Sequence, residues 1–360
     1  MPNRPGEPDL EVYIGGQPLS TIAAWGDAEI THGRNGPIAA TWGMALKPKE
    51  RPYQLVRNAP VTWRSGGRRI SFGILDEPDW DAGEFTMIGG ARLGEGAEPL
   101  TAAGAITSKL NTAIDQAVAR GVTRGWFRGG DFGNTDLAGP EGASGVDDPN
   151  PGKLNELMDL WATQGSVGGV TRQWRVTGDG LVVPTVEDES TPQLLLLPGT
   201  TSIGVSGTEV TDRVFLRYND SAATRLRTAS YPAQTPIGGI ERRASIVHLG
   251  PMTAARATTI AEGMYRRAQA GRTGWTNGWE LSADQMTTVG GQRPSLALVR
   301  AGVTAQAMDQ PDPRGVSPAL NVVLDETTWR VAEGLIQLNP VGLVARTWEQ
   351  VMAEALARDE

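Results

Sequence analysis

Short alternating segments separated by glycine turns are the feature that most restricts how this chain can fold. Between Val61 and Ile74, apolar residues occupy every second position on both sides of Ser65-Gly66-Gly67. When apolar residues recur at every second position of a strand, their side chains all lie on one face of it. The glycines permit a tight turn between the two strands. The stretch therefore predicts a β-hairpin with one buried face. Short strands that end at Gly or Pro are typical of antiparallel barrels and sandwiches.

Other segments have the helical period, with apolar residues three and four positions apart. Helices are predicted at residues 101–120, 153–165, 253–270 and 345–356. The helix at 153–165 precedes a predicted hairpin, Gln173–Val183, which turns at Gly178-Asp179-Gly180. This helix and hairpin are expected to join two larger β-rich bodies.

The order of elements predicts an α+β fold with two β-barrel-like antiparallel domains and with intervening and C-terminal helices. Strands and helices are segregated along the chain, which argues against a doubly wound parallel sheet. The predicted parts are a first β-barrel-like domain at 1–100, a helical and loop region at 101–185 with a Gly-rich insertion at 121–152 and a hairpin, a second β-barrel-like domain at 186–340 with an inserted helix at 253–270, and a C-terminal helix at 341–360.

The residue types needed for most catalytic chemistry are scarce. The sequence has no cysteine, which excludes disulfides, thiolate metal sites and cysteine nucleophiles. It has two histidines, His32 and His248, too few for a zinc site with several histidine ligands. A structural role is the preferred interpretation for both.

Partial matches to known motifs lack the rest of the pattern. Asp131-Phe132-Gly133 copies the magnesium motif of kinases, but no His-Arg-Asp loop or glycine-rich strand accompanies it. Ser144 and Ser206 lack the full Gly-x-Ser-x-Gly of a nucleophile elbow. Asp147-Asp148, in the Gly-rich segment, is interpreted as part of a solvated loop.

An acidic cluster follows the first hairpin and comprises Asp76, Glu77, Asp79, Asp81 and Glu84. It could supply a pair of glycosidase carboxylates or ligands for a cation. The preferred interpretation is a solvated connection between strands, since Asp and Gly favour turns. We therefore predict no catalytic, cofactor-binding or metal-binding residues, no cofactor and no enzymatic activity.

Charge and aromatic content bear on the partners. The formal net charge of −8 argues against bulk nucleic-acid binding, and four of the 33 basic residues are lysines, so arginine dominates. Arginine enrichment fits either interfaces rich in arginine or a GC-rich coding genome. The eleven tryptophans are spread along the chain, which favours roles in cores and interfaces over a single sugar-stacking platform.

No segment resembles a membrane span or a secretory signal. No run approaches the roughly 18 apolar residues that a membrane helix needs. The N-terminal residues contain no apolar core of a signal peptide. We therefore expect a protein made in the cytoplasm without membrane insertion.

Three stretches carry a resemblance to a known family. They are GGRRISFGILDEPDW (66–80), KLNELMDLWATQG with the later QWRVTGDGLVV (153–165 and 173–183), and GDAEITHGRNGPIAATWGMAL (26–46). Together with the order of elements, they resemble the tail-hub family of tailed bacteriophages. This family includes baseplate hubs of contractile phages and minor tail proteins of long non-contractile phages. The Gly-rich segment 121–152 departs from the family pattern.

The resemblance implies a structural component of the tail tip or baseplate, located in the virion and assembled in the host cytoplasm. It implies a ring-shaped hub, usually a homotrimer, that closes the tail tube and lets DNA pass. The implied partners are the distal tail protein, the tape measure and tail fibre or tip proteins, with phage DNA in contact only in transit. Because sliding DNA must not be held by its phosphates, we expect a neutral or acidic channel wall.

Three alternatives stay open at this point. The chain could be a distal tail ring protein, which is a hexamer. It could be a carbohydrate-binding module for the host surface, which predicts exposed aromatic side chains clustered in a groove. It could be a hydrolase, which predicts an activity that is lost when Asp76, Glu77 or Asp79 is replaced by its amide.

Overall fold

The structure is a computed structural model, and it describes most of the chain. The described residues are 10–46, 52–99, 110–130, 153–165, 171–200, 205–206, 213–220, 225–234, 244–270, 274–275, 278–311 and 319–341. The helix predicted at 345–356 and positions 131–152 of the Gly-rich segment lie outside these ranges.

The N-terminal part is built from strands joined mostly by tight turns. Its strands are β1 (Leu10–Ile14), β2 (Gln17–Pro18), β3 (Trp25–Gly33), β4 (Gly36–Met44), β5 (Pro60–Ser65), β6 (Arg68–Leu75) and β7 (Glu84–Gly89). The hairpin predicted around Ser65-Gly66-Gly67 is confirmed as β5 and β6, whose strands pair antiparallel. A short helix, α1 (Gly90–Leu93), follows β7.

The middle of the chain supplies two helices and a small sheet. Its elements are α2 (Leu110–Thr123), β8 (Gly129–Gly130), α3 (Leu154–Gly165), β9 (Thr171–Val176) and β10 (Leu181–Glu187). The predicted helix at 153–165 and the hairpin after it are confirmed as α3, β9 and β10. Helix α3 packs against α2 and β9, so it lies between the helical region and the hairpin.

The C-terminal part returns to strands around one long helix. Its elements are β11 (Leu194–Leu196), β12 (Val205–Ser206), β13 (Arg213–Asp220), β14 (Arg225–Tyr231), β15 (Ala244–Met252), α4 (Ala254–Ala270), β16 (Gly274–Trp275), β17 (Trp279–Ser282), β18 (Met286–Thr288), β19 (Thr304–Ala307), β20 (Leu320–Arg330) and β21 (Leu335–Pro340). The helix predicted at 253–270 is confirmed as α4.

One large sheet joins the two ends of the chain. Within the described residues it has 13 strands in the order β18-β11-β19-β20-β3-β4-β7-β6-β5-β1-β2, with β21 and then β17 branching from β20. The first half of β20 pairs with β19, and its second half pairs with β3 and β21. The strand β20 therefore connects the N-terminal hairpins to the C-terminal strands.

The α+β class is confirmed, whereas two closed barrels are not found among the described strands. Their pairing leaves the large sheet open, with β18 and β2 at its ends. Closure would require the first and last strands of each predicted barrel to pair. Instead, β3 pairs with β20 from the other end of the chain. The domain boundaries predicted at residues 100, 185 and 340 stay a prediction.

A single apolar cluster fills the interior beside the large sheet. It receives side chains from both ends of the chain, including Trp42 and Trp63 from the N-terminal strands and Trp329 and Leu338 from the C-terminal ones. These four side chains are at most 5% exposed. Burial of each such side chain stabilises the fold by about 1.5–3 kcal/mol, so this shared core supports the long-range strand pairing.

A second apolar cluster lies between α2, α3 and the sheet of β8, β10 and β9. Phe127 is buried in this cluster. Gly121 is buried inside α2, which continues to Thr123, beyond the predicted helix end at residue 120. A Cβ there would lie 2.3 Å from the Phe127 ring, so the glycine is required by the packing of that ring.

A third cluster joins α4 to a separate sheet of β14, β13 and β15. Val214, Leu216 and Tyr218 alternate along β13 and point toward the helix cluster, as their period of two predicts. Strand β15 runs parallel to β13, and α4 follows it directly. The cluster is small, so α4 and its sheet form a satellite of the main structure.

One alternating segment is not a strand. The alternation of Leu296 and Leu298 predicts a strand, and this prediction is wrong because Leu296–Leu298 forms a 3₁₀ helix. The amide of Leu298 donates to the carbonyl of Ser295 at 2.9 Å. Leu296 is buried and Leu298 is 43% exposed, so the alternation is real. Two alternating residues are too few to distinguish a strand from a single tight turn.

The turn between β3 and β4 contacts the end of β9 and fixes the hairpin against the central sheet. The amide of Val176 donates to the carbonyl of Asn35 at 2.8 Å. Gly36 has φ +111°, and a Cβ there would lie 2.2 Å from the Val176 carbonyl oxygen. Both the backbone conformation and the close approach therefore require glycine.

We expect Gly36→Ala to lower the free energy of unfolding by about 3 kcal/mol or more, because it adds a backbone clash to the strain of a positive φ. Gly16→Ala is the matched control, since Gly16 has φ +86° and nothing within 4 Å of an added Cβ. Gly16→Ala should lower the free energy of unfolding by only about 1 kcal/mol. Urea unfolding followed by tryptophan fluorescence measures both, and equal losses would contradict the packing role of Gly36.

Candidate functional site

The Gly178-Asp179-Gly180 turn between β9 and β10 lies directly on β6. A Cβ on Gly178 would be 2.5 Å from the Arg69 carbonyl oxygen, and one on Gly180 would be 2.7 Å from the Phe72 ring. Gly180 also has φ +79°, a conformation that favours glycine. The two glycines allow this close contact, and Asp179 between them is brought to β6.

Five arginines from separate segments converge around this turn, and we name them the arginine patch. Its members are Arg64 on β5, Arg69 on β6, Arg128 before β8, Arg175 on β9 and Arg300 before β19. Arg128 and Arg175 are exposed, while the other three are partly buried. The patch therefore combines anchored guanidinium groups with groups that face solvent.

Backbone and ring contacts hold the patch in place. The amide of Arg128 donates to the carbonyl of Gly180 at 2.8 Å, and its guanidinium lies 5.1 Å from the centre of the Phe72 ring. Arg300 donates to the carbonyl of Arg69 at 3.4 Å. Arg64 lies over the Tyr13 ring at 4.3 Å. Cations over aromatic faces are stabilised electrostatically.

Negative charge within the patch is scarce. Asp179 pairs with Arg69 at 3.2 Å, but its side chain is 59% exposed. Glu11, which accepts a hydrogen bond from the Tyr13 hydroxyl at 2.6 Å, faces Arg64 across β1 and β5. Within the described residues, no ion pair to a carboxylate is formed by Arg128, Arg175 or Arg300. Among the residues that the structure describes, two carboxylates thus face five guanidinium groups, a balance that attracts anions.

The pKa shifts follow from this arrangement. Burial lowers the pKa of Arg300, and the charge of Arg175 lowers it further, whereas Asp179 acts in the opposite direction. Burial also lowers the pKa of Arg128, with Arg69 as the next cause. Arginine stays protonated at physiological pH, so these shifts report a cost of holding the charges together.

His32 lies on β3, and the charge of Arg300 reaches it from the patch. The side chain is buried, and its Nε2 has no hydrogen-bond partner among the described residues. Burial lowers the pKa of His32 to about 3, and Arg300 contributes to the lowering, while a hydrogen bond with the Ile70 backbone opposes it. His32 is therefore a neutral core residue at physiological pH.

The folded-state pKa of His32 is below the value of the unfolded chain, so the unfolded state binds more protons below about pH 6.5 and stability falls as the pH falls. Between pH 7 and pH 5 we expect a loss of about 2 kcal/mol from this residue. His32→Gln should remove that loss in urea unfolding at the two pH values, and His248→Gln serves as the control. An unchanged pH dependence in His32→Gln would contradict this assignment.

The acidic cluster singled out from the sequence forms the turn between β6 and β7, at the far end of β6 from the arginine patch. The carboxylate of Asp79 accepts hydrogen bonds from the amides of Asp81 and Ala82 at 3.1 and 3.0 Å, and Asp76 accepts one from Glu77. Two of the carboxylates therefore stabilise the turn itself, as the preferred interpretation expects. We name residues Asp76–Glu84 the acidic turn.

A cleft of about 690 Å³ adjoins the acidic turn. Its lining residues include Trp25, Asp27 and Glu84. Asp27 and Glu84 are exposed, and Trp25 is partly buried. Carboxylates next to an aromatic residue suit a guanidinium or ammonium group.

The other sequence-predicted residues are not brought into a common site by the described structure. His248 lies on β15 and Ser206 on β12, in ranges where only the backbone is described. Asp131-Phe132-Gly133, Ser144 and Asp147-Asp148 lie outside the described residues. Within the described part, no group of three or more histidine or acidic side chains is arranged to hold a metal ion.

The tryptophans whose side chains the structure describes belong to cores. Trp42 and Trp63 contact edge to face with ring centres 5.6 Å apart, and Trp25 packs on Trp63 at 5.5 Å. In the second cluster, the Trp174 indole donates to Asp159 at 3.1 Å. Every tryptophan whose side chain is described is buried or partly buried. This arrangement does not resemble the exposed aromatic groove that a carbohydrate-binding module predicts.

No helix among the described residues is long and apolar enough to cross a membrane.

Comparisons with known proteins found similarity in structure. Neither a protein-family model nor a curated protein sequence matches the chain. Among solved structures, the 43 kDa tail protein of prophage MuSo2 from Shewanella oneidensis matches with a TM-score of 0.56 and 13% identity, over 93% of this chain and 97% of that one. The chain has the fold of a prophage tail protein.

Two further structures support the same fold. The tail protein from Neisseria meningitidis MC58 matches with a TM-score of 0.56 and 13% identity, over 92% of this chain and 95% of that one. The prophage tail protein gp18 from Listeria monocytogenes EGD-e matches with a TM-score of 0.53 and 10% identity, over 97% and 98%. The phage-tail resemblance is thus supported in fold, while the hub, the trimer and the partners stay predictions.

Proposed function

We propose that the protein is a structural component of a bacteriophage tail, and more specifically a ring-shaped hub at the tail tip or baseplate. The observation that carries this proposal is the similarity of fold to prophage tail proteins along almost the whole of both chains. The proposal assigns the protein an architectural role without enzymatic activity.

In this role, copies of the chain form a trimer that closes the tail tube and lets DNA pass. The partners are the distal tail protein, the tape measure and tail fibre or tip proteins, and the location is the virion. The wall of a channel for DNA must not bind phosphates strongly. The net charge of −8 is consistent with a neutral or acidic channel wall. The arginine patch would hold phosphates, so we place it away from the channel.

Imaging and mass measurement of the purified protein test the proposal. We expect a particle of three times the monomer mass of 38.2 kDa by light scattering, and a threefold ring with a central hole in negative-stain class averages. A sixfold ring would favour the distal tail ring protein instead. A compact monomer up to high micromolar concentration would contradict both ring assignments.

A further inference from the structure

The arginine patch has the properties of an interface that lacks its anionic partner. Arg128 and Arg175 face solvent, and Arg300 donates only to a backbone carbonyl among the described contacts. The Nε of Arg64 is buried without a hydrogen-bond partner in the described part of the chain. Clustered guanidinium groups repel one another, so carboxylates from outside would stabilise the patch.

Apart from Asp179 and Glu11, the acidic turn of the same copy is too distant to stabilise the patch. The acidic turn is at the other end of β6, and Arg69 and Asp76 are about 23 Å apart along a strand that rises about 3.3 Å per residue. The Debye length at physiological ionic strength is about 8 Å, so the two charged ends do not neutralise each other. One strand therefore has opposite charges at its two ends.

The acidic end has matching features. Asp81 and Glu84 are exposed, and neither side chain forms an ion pair among the described contacts. The adjoining cleft adds the carboxylate of Asp27 and the partly buried Trp25 ring. A guanidinium group can pair with two carboxylate oxygens and pack on an aromatic face at the same time.

We infer that these two surfaces bind each other between copies, so that the arginine patch of one copy contacts the acidic turn and cleft of the next. The inference rests on the proposed function, since it names the contact through which the ring would form. The two surfaces differ and lie apart on the molecule, so the contact is head-to-tail. Head-to-tail contacts produce a closed ring when the rotation between copies closes.

Charge reversal at exposed positions tests the contact without disturbing the core. Arg128→Glu/Arg175→Glu and Asp81→Arg/Glu84→Arg each place like charges across the contact, and each should weaken self-association about 100-fold or more. The readout is the oligomer fraction against concentration in sedimentation velocity. The combined variant with all four substitutions keeps the net charge and restores opposite charges, so it should form rings like the wild type.

Matched controls reverse exposed arginines elsewhere. Arg217→Glu/Arg225→Glu changes two exposed arginines on β13 and β14, outside both surfaces, and should leave assembly unchanged. Circular dichroism and thermal unfolding confirm that each variant is folded. A combined variant that is folded but stays monomeric would overturn the inference, as would patch variants that assemble like the wild type.

Mixing the two double variants gives a separate result. Each fails to bind itself, but the reversed patch of one fits the reversed turn of the other, so they should form mixed pairs. An odd ring cannot alternate two species, so closed threefold rings should be absent from the mixture. Failure to form mixed pairs would contradict the contact.

The outcomes separate this inference from the proposed function. If the wild type forms rings and the reversed variants do too, the contact is wrong and the hub proposal stands. If the wild type is a monomer, the ring itself is wrong and the contact falls with it.

Fluorescence anisotropy with a duplex DNA fragment at physiological salt tests whether the arginine patch binds nucleic acid instead of a second copy. DNA binding that is lost in Arg128→Glu/Arg175→Glu, with assembly unchanged, would assign the patch to nucleic acid and overturn the inference.

Discussion

The pairing of β20 with β3 is the constraint on which the rest of the structure depends. It joins strands almost three hundred residues apart, Trp329 opposite Ile30, and so makes one sheet from both ends of the chain. Closing a loop of this length costs about 4 kcal/mol more than closing a tight hairpin. Burial of two or three large apolar side chains offsets that cost. The shared core of the two ends supplies many more than that.

The local elements could be predicted from the sequence, but the pairing of strands that lie far apart in the chain could not. The hairpin around Gly66-Gly67, the helix α3 and the helix α4 follow from residues close in the chain, and all three are present. The barrel prediction failed because strand period defines a buried face but not the neighbouring strand. The parallel pairing of β13 with β15 and of β11 with β19 is equally invisible to a local pattern.

In the candidate site too, one part could be inferred from the sequence and the other could not. The acidic turn is contiguous in sequence, and its turn chemistry could be inferred from Asp and Gly alone. The arginine patch draws its members from five separate segments, so no local motif marks it. Two sequence signals pointed toward it: the excess of arginine over lysine, and the glycines of the Gly178-Asp179-Gly180 turn. The structure shows that this turn approaches β6 closely and that the backbone of Arg128 is hydrogen-bonded to Gly180 in the same turn.

The arrangement of charge also bears on the symmetry that an assembly of this chain can adopt. A twofold contact through the patch would bring ten guanidinium groups together, and one through the acidic turn would oppose two sets of carboxylates. Both arrangements are electrostatically unfavourable. A head-to-tail contact instead pairs opposite charges, and the rigid strand between them fixes the angle from one copy to the next. The same sheet that joins the ends of the chain would then set the geometry of the ring.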